Sequence, residues 1–281
     1  MRYVINSSDT NEIYSFFIPI VSLLWRERGF TPIILLVGTR EQWNSTGKNK
    51  SVLHHIEKAE IKVHFVKPVQ NYKNSTIAQV SRLFACADPN IKPEDYILIS
   101  DADMLPMSRT WFTQYDASKA FNFFGGNAYL GYIGDASPSK LPTRLPMCYI
   151  GGSTANWRQV MGINDLNIQT SMEKIIKERE ATGCRDEWFY DEHTFANKMF
   201  KSPLITNSQF INRDWTHGRA SNRLDRDNWH FNNQKDIIDC HYLRPATKFI
   251  DELFRILIPE VYCYPGHIQW IRAYINNFIS S

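Results

Sequence analysis

Two aspartates one residue apart, Asp101 and Asp103, close a run of apolar strand formers in "YILISDADMLPM" (96–107). Like charges at that separation repel, so the pair calls for a cation or a proton between its carboxylates. Carboxylate oxygens suit hard divalent ions such as Mg²⁺ and Mn²⁺, which complete their shells with substrate phosphates and water. The spacing therefore points to metal-assisted handling of a phosphorylated ligand. An Asp-x-Asp triplet alone is common in surface turns. Its place after "YILIS" and before "MLP" is what singles it out.

A carboxylate pair does chemistry only if rigid elements hold it. "YVIN" (3–6), "TPIILLVG" (31–38), "IKVHFVKP" (61–68) and "DYILIS" (95–100) read as buried strands. A helix is expected over about 12–27, bent or offset by Pro19 and stopped by Gly29. A second runs from a cap at Ser75 to about Ala87, with Ile77, Val80, Phe84 and Ala87 as its core stripe and Gln79 and Arg82 on a polar face. Strands alternating with helices predict an α/β fold: a mainly parallel mixed sheet flanked by helices, in one compact domain. Such a sheet carries function at the carboxyl ends of its strands, where Asp101 and Asp103 fall.

Beyond Asp103, "MCYIGGSTANWRQVMG" reads as a strand, a Gly151-Gly152 turn and a short helix ended by Gly162. "TSMEKIIKERE" (170–180) is a charged surface helix. "DEWFYDEHTFANKMF" (186–200) is an amphipathic helix with Trp188, Phe195 and Met199 toward the core. The segment 213–234 has few aliphatics and reads as a long loop. "DIIDCHYLRP" is a last strand leaving the core at His241, and two amphipathic helices close the chain.

"ILISDADMLP" resembles the DxD element of the GT-A fold glycosyltransferases, which transfer a sugar from a nucleoside diphosphate. The resemblance implies a Rossmann-like fold and a donor site. Asn6, Ser7, Ser8, Asp9 and Thr10 occupy the place that holds base and ribose, and Gln79 and Arg82 that of the helix facing the nucleotide. "CYIGGSTAN" resembles the strand and turn beneath sugar and acceptor, so Gly151 and Gly152 would admit the sugar to the backbone. "YDEHTFANKM" resembles the acidic helix start beside the reacting carbon, and "DCHYLRP" the late histidine that completes the metal site. The retaining family 8 type ends in His-x-x-Gly-x-x-Lys-Pro. Here "HYLRPATK" lacks the Gly and places Pro245 before Lys248. A fainter likeness runs to glycosyltransferases that decorate capsid proteins of large algal viruses.

The resemblance implies roles. Asp101, Asp103 and His241 would hold Mn²⁺ or Mg²⁺, with Asp101 and Ala102 also near the ribose. Asp191 would sit beside the anomeric carbon, with Glu192, Asp186 and Glu187 competing for that role. The donor would be a nucleoside diphosphate sugar, most often UDP-linked, and the acceptor a hydroxyl on a glycan or glycoprotein. Arg213, Arg219, Arg223 and Arg226 would lie on a loop that either closes over the diphosphate, where His217 could contact a phosphate, or is simply exposed and salt-bridged. Plainer readings stand beside these: a capped strand end for His241, dipole-favoured acids at a helix start for the 186–192 cluster, and a surface ion pair for Arg82. The expected halves are 1–105 for the nucleotide and 106–245 for the acceptor and the returning metal ligand, with 246–281 as C-terminal helices.

Two other functions share parts of this pattern. A sugar-1-phosphate nucleotidyltransferase needs a Gly-rich basic loop after the first strand, where this chain has "NSSDTN". A non-catalytic carbohydrate-binding protein would keep the fold without the chemistry. Net charge is only +3 over 281 residues, which gives no bulk field for nucleic acid. The five cysteines form no CxxC pair, which argues against a zinc site or a disulfide framework and fits reduced thiols. "FFIPIVSLLW" (16–25) is too short to span a bilayer. "RYVINSS" follows Met1 directly as a strand, so no secretory leader and a cytoplasmic location are expected.

Overall fold

Parallel strands covered on both faces need apolar side chains at every position, and the first strands of this chain supply them. The computed structural model describes residues 1–125, 144–180, 188–211, 215–216, 219–220, 222–227, 229, 237–259 and 262–281. Strands β1 (Arg2–Ser8), β2 (Thr31–Val37), β3 (Lys62–Val66) and β4 (Tyr96–Ile99) alternate between two cores. Val4, Ile34, Leu36 and Leu98 point to one face, and Ile5, Ile33, Leu35 and Ile97 to the other.

Three later strands extend the sheet: β6 (Phe121–Phe124), β7 (Ile150–Ser153) and β8 (Gln209–Ile211). Between β4 and β6 lies β5 (Met104–Pro106), which belongs to a smaller sheet. The seven-stranded order is β3-β2-β1-β4-β7-β6-β8, with β7 antiparallel to both its neighbours and the other pairs parallel. The expected α/β architecture is thus found, a mostly parallel mixed sheet between helical layers. The order reverses across β1 and β4, so their carboxyl ends flank a crevice.

The helices are, in chain order, α1 (Glu12–Ser15), α2 (Ile18–Glu27), α3 (Arg40–Trp43), α4 (Gly47–Lys58), α5 (Asn74–Ser81), α6 (Thr154–Met161), α7 (Ile168–Glu180), α8 (Tyr190–Phe200), α9 (Ile250–Leu257) and α10 (Pro265–Ser280). Helices α2, α4 and α10 share one core, and α5, α6, α7 and α8 the other. Among the described residues no helix is long and apolar enough to cross a membrane.

Several expectations are corrected. The helix expected over 12–27 is two helices. Pro19 does not bend it but sits in the first turn of α2, where its missing N–H costs nothing. Helix α4 was not expected at all, although Thr46 caps it by accepting from the Asn49 N–H at 3.3 Å. Ser75 does not cap the next helix but lies inside it, since α5 starts at Asn74 after Lys73 with no side-chain cap, and the helix tightens into a 3₁₀ segment at Arg82–Ala87. Gly151 and Gly152 are not a turn but lie within β7, paired to Leu98 and Ile97. Trp188 is 52% exposed rather than core, whereas Phe195 and Met199 are fully buried. The segment expected as a loop contains described strands, β9 (Trp215–Thr216) against β10 (Arg219–Ala220), and β11 (Arg223–Asp225).

The smaller sheet matters most for the site. Strand β12 (Asp239–His241) lies between β11 and β5 and pairs antiparallel with β5, so that His241 is opposite Met104. The residue after the aspartate pair is thereby laddered to the late histidine.

Candidate active site

The crevice between the ends of β1 and β4 gathers most of the residues singled out in the sequence. Ser7 and Ser8 from β1 and Asp9 just after it, Gln79 and Arg82 from α5 and its 3₁₀ extension, and Asp101, Ala102 and Asp103 after β4 line one cleft. Asp191 and Glu192 from the first turn of α8 and His241 from β12 line it too. Its cavity volume is about 210 Å³.

Arg82 organises one side. Its buried guanidinium donates to the Ser100 carbonyl at 3.1 Å, to Asp101 Oδ1, and to Asp191 Oδ2 at 2.6 Å. Burial works against its charge, but Asp101 and Asp191 raise its pKa above the ordinary arginine value. Asp191 is engaged at both oxygens, because its Oδ1 accepts the Glu192 N–H at 2.9 Å. Asp191 is therefore a fixed counter-charge.

Asp103 organises the other side. Its Oδ2 accepts from Arg226 at 3.1 Å and from Arg244, and lies 3.1 Å from His241 Nε2. His241 Nδ1 in turn lies 3.6 Å from Asp225 Oδ2, which sets the imidazole between two carboxylates. Burial opposes the imidazolium, yet the hydrogen bonds to Asp103 and Asp225 push the His241 pKa up to about 9. Burial likewise raises the Asp103 pKa, but His241 and Arg244 outweigh it and hold the carboxyl below the usual range.

Glu192 differs from both aspartates. Burial and the neighbouring Asp191 charge push its pKa up to about 7, with Arg144 opposing at 4.0 Å. A carboxyl poised there takes or gives a proton near neutral pH. Beside it the wall turns apolar, with Pro146, Met147, Trp188 and Phe189.

Other sequence candidates fall elsewhere. Asn6 is fully buried beneath the cleft, donating at 3.1 Å to the carbonyls of Ser100 and of Asp101, so it holds the loop rather than lining the site. Thr10 lies outside the lining, its carbonyl accepting from Asn49 at 3.1 Å. Gly151 and Gly152 are also outside it. Their missing side chains make room for the Tyr96 hydroxyl and the Ala120 carbonyl within the sheet. Asp186, Glu187, Arg213 and His217 lie outside the described residues. Of the expected arginine loop, Arg226 reaches Asp103, while Arg223 binds Asp239 at 2.8 and 3.1 Å.

Sequence reasoning missed Tyr14, Cys148 and Arg244, which line the cleft. Arg244 lies over the Tyr14 ring at 4.4 Å and donates to its hydroxyl at 2.9 Å. The signal was present in "HYLRPATK", where Arg244 rather than the exposed Lys248 supplies the cation.

The donor set fits a hard divalent ion in kind, with two carboxylates, an imidazole and open cleft around them. In position, Asp103 and His241 stand together while Asp101 is turned to Arg82. Accordingly, among the described residues no three such groups are assembled to hold a metal.

No family model and no curated protein matches the chain. Solved structures do. The galactosyltransferase LgtC, in complex with donor and acceptor sugar analogs, is similar at 14% identity and a TM-score of 0.49, over 88% of each chain. The apo-form glycosyltransferase GlyE of Streptococcus pneumoniae TIGR4 is similar at 11% identity and 0.44, over 99% of this chain and 63% of its own. A glycosyltransferase involved in glycosylation of the major capsid of PBCV-1 is similar at 10% identity and 0.37, over 91% and 99%. None of these three reaches a TM-score of 0.5, so the functional reading rests on the site's own residues.

Proposed function

We propose that this chain is a glycosyltransferase of the GT-A type that moves a sugar from a nucleoside diphosphate sugar, UDP-linked, to a hydroxyl of a glycan or glycoprotein. One observation carries the reading. Cationic groups from three separate segments, Arg82, Arg226, and Arg244 beside His241, meet the Asp101–Asp103 pair at the ends of β1 and β4. That arrangement suits a diphosphate, whose charge rises as it leaves.

The roles follow from the geometry. Arg226 and Arg244 bind and orient the diphosphate. Arg82, fixed by Asp191, holds Asp101 in place. Ser7, Ser8, Asp9 and Gln79 accept the nucleoside at the end of β1. As the acceptor oxygen attacks the anomeric carbon, the bond from that carbon to the phosphate oxygen breaks, the nucleoside diphosphate departs, and Glu192 takes the acceptor proton. Mn²⁺ or Mg²⁺, held by Asp103 with Asp101 and with His241 once it has given up its proton, would supply Lewis-acid neutralisation of the departing diphosphate.

Calorimetric titration of UDP with and without Mn²⁺ tests this, together with a screen of UDP- and GDP-sugars for hydrolysis. Binding strengthened by Mn²⁺, and lost at least tenfold in Asp103→Ala, is the expected result. Absence of any nucleotide binding in Mn²⁺ would sink the proposal.

A further inference from the structure

Resting on that reading, we propose that Trp188 is the acceptor platform: its indole face stacks on the C–H face of a pyranose ring while Glu192 meets the reacting hydroxyl. Trp25, Trp43 and Trp157 are at most 1% exposed, and Trp111, Trp229 and Trp270 are half-buried. Trp188 is 52% exposed and lines the cleft, the one large aromatic so exposed on its wall among the described residues. Leaving an indole in water forfeits burial free energy, so an exposed one at a functional cleft marks a surface for a partner.

The residues that follow it are anchored. Arg144 lies over the Phe189 ring at 4.2 Å. Tyr190 is 1% exposed and packs edge-on against Tyr72 at 5.7 Å. The next two residues, Asp191 and Glu192, line the cleft. The cleft thus has two halves of different chemistry. The half with Arg226, Arg244 and Asp103 fits the charged donor. The half with Pro146, Met147, Phe189 and Trp188 offers apolar surface with the Glu192 carboxyl beside it. A neutral sugar meets both demands there. Its axial C–H groups carry slight positive charge and face the negative ring face, and its hydroxyls reach the carboxylate.

The test separates this site from the donor site. Methyl α- and β-glycosides of glucose, galactose, mannose and N-acetylglucosamine are screened by saturation-transfer NMR in the presence of UDP and Mn²⁺. Wild-type protein is expected to bind at least one of them through its ring C–H protons. Trp188→Ala should weaken that glycoside tenfold or more, and Trp188→Phe should restore most of the loss. UDP affinity should stay within twofold in both variants, and an unchanged melting temperature confirms folding. Equal loss of UDP and glycoside affinity would reassign Trp188 to the donor and overturn the proposal. Undiminished glycoside binding in Trp188→Ala, or no glycoside bound by wild type, would overturn it too. Failure of the wild type to bind UDP in Mn²⁺ is a separate result and rejects the glycosyltransferase reading itself.

Discussion

Glu192 and Asp191 are adjacent in the chain and opposite in environment. Asp191 is tied at both oxygens, while Glu192 faces the cleft with its pKa pushed up to about 7, first by burial and then by the Asp191 charge. The folded value lies above the unfolded one. Protonated Glu192 therefore costs nothing below about pH 4, and the penalty of ionising it grows as pH rises through 7. Glu192→Gln removes that penalty. It should raise stability at pH 8 by up to about 3 kcal/mol and leave it unchanged at pH 4, as read by urea melts at both. The same variant should lose at least a hundredfold in transfer rate. Raised stability with lost activity would mark a functional carboxyl, and loss of both would mark a structural one. At this scale the sequence showed what local pattern can show. Asp101, Asp103 and His241 announce themselves by type and by position at strand ends. Arg244 and Trp188 do not, because what places them is the return of a distant strand and the end of a helix. Periodicity assigns Trp188 to the core stripe, and only the packed structure turns it to the cleft.

Elements were legible where one pattern ran long enough. The strands beside β1 were found because both faces are buried, giving continuous apolar runs. Helix α4 escaped because its buried apolar positions reduce to Val52, Leu53 and Ile56 among polar residues, some of them buried themselves. Its reason for being helical is tertiary: His55 packs edge-on against Trp270 and Tyr274 of α10 at 5.3 and 5.1 Å. The glycines of β7 misled in the opposite direction. Gly-Gly usually signals a turn, but here it marks close approach inside a sheet. A Cβ at Gly151 would stand 2.0 Å from the Tyr96 hydroxyl, and one at Gly152 would stand 2.7 Å from the Ala120 carbonyl. The tyrosine is stacked on Tyr115 at 4.2 Å and the carbonyl belongs to the chain entering the neighbouring strand, so neither yields readily. Gly151→Ala and Gly152→Ala should each destabilise by roughly 1–3 kcal/mol through overpacking. Urea denaturation measures this. Wild-type stability in both would mean the sheet relaxes around them.

Across the whole molecule, Arg28 joins parts far apart in sequence. Its guanidinium is fully buried and donates to the carbonyls of Leu24 at 3.0 Å, Met107 at 2.7 Å and Tyr262 at 2.5 Å, with Glu27 at 3.2 Å. Burial lowers its pKa to about 10, so it remains a cation at neutral pH. One side chain thus ties α2, the segment after β5 and the approach to α10. Arg28→Ala would take this donor from the Met107 and Tyr262 carbonyls and leave Glu27 short of a counter-charge. We expect a loss of at least about 3 kcal/mol, seen as a lower urea midpoint at unchanged slope. Arg28→Lys should recover only part of it, since an ammonium lacks the planar fork. A loss under about 1 kcal/mol would show that water takes over the guanidinium's role.

The ladder that sets His241 opposite Met104 has a kinetic consequence. Asp103 and His241 are 138 residues apart, and the loop between them must close before the imidazole and Arg244 reach the carboxylate. Strands β1 to β4 involve only the first hundred residues and lie side by side in the sheet. During synthesis their sheet can assemble while β12 has not yet emerged, and Asp103 then faces water without those partners. The charged centre of the cleft is therefore a late product of folding, completed only after residues 241–244 have been made.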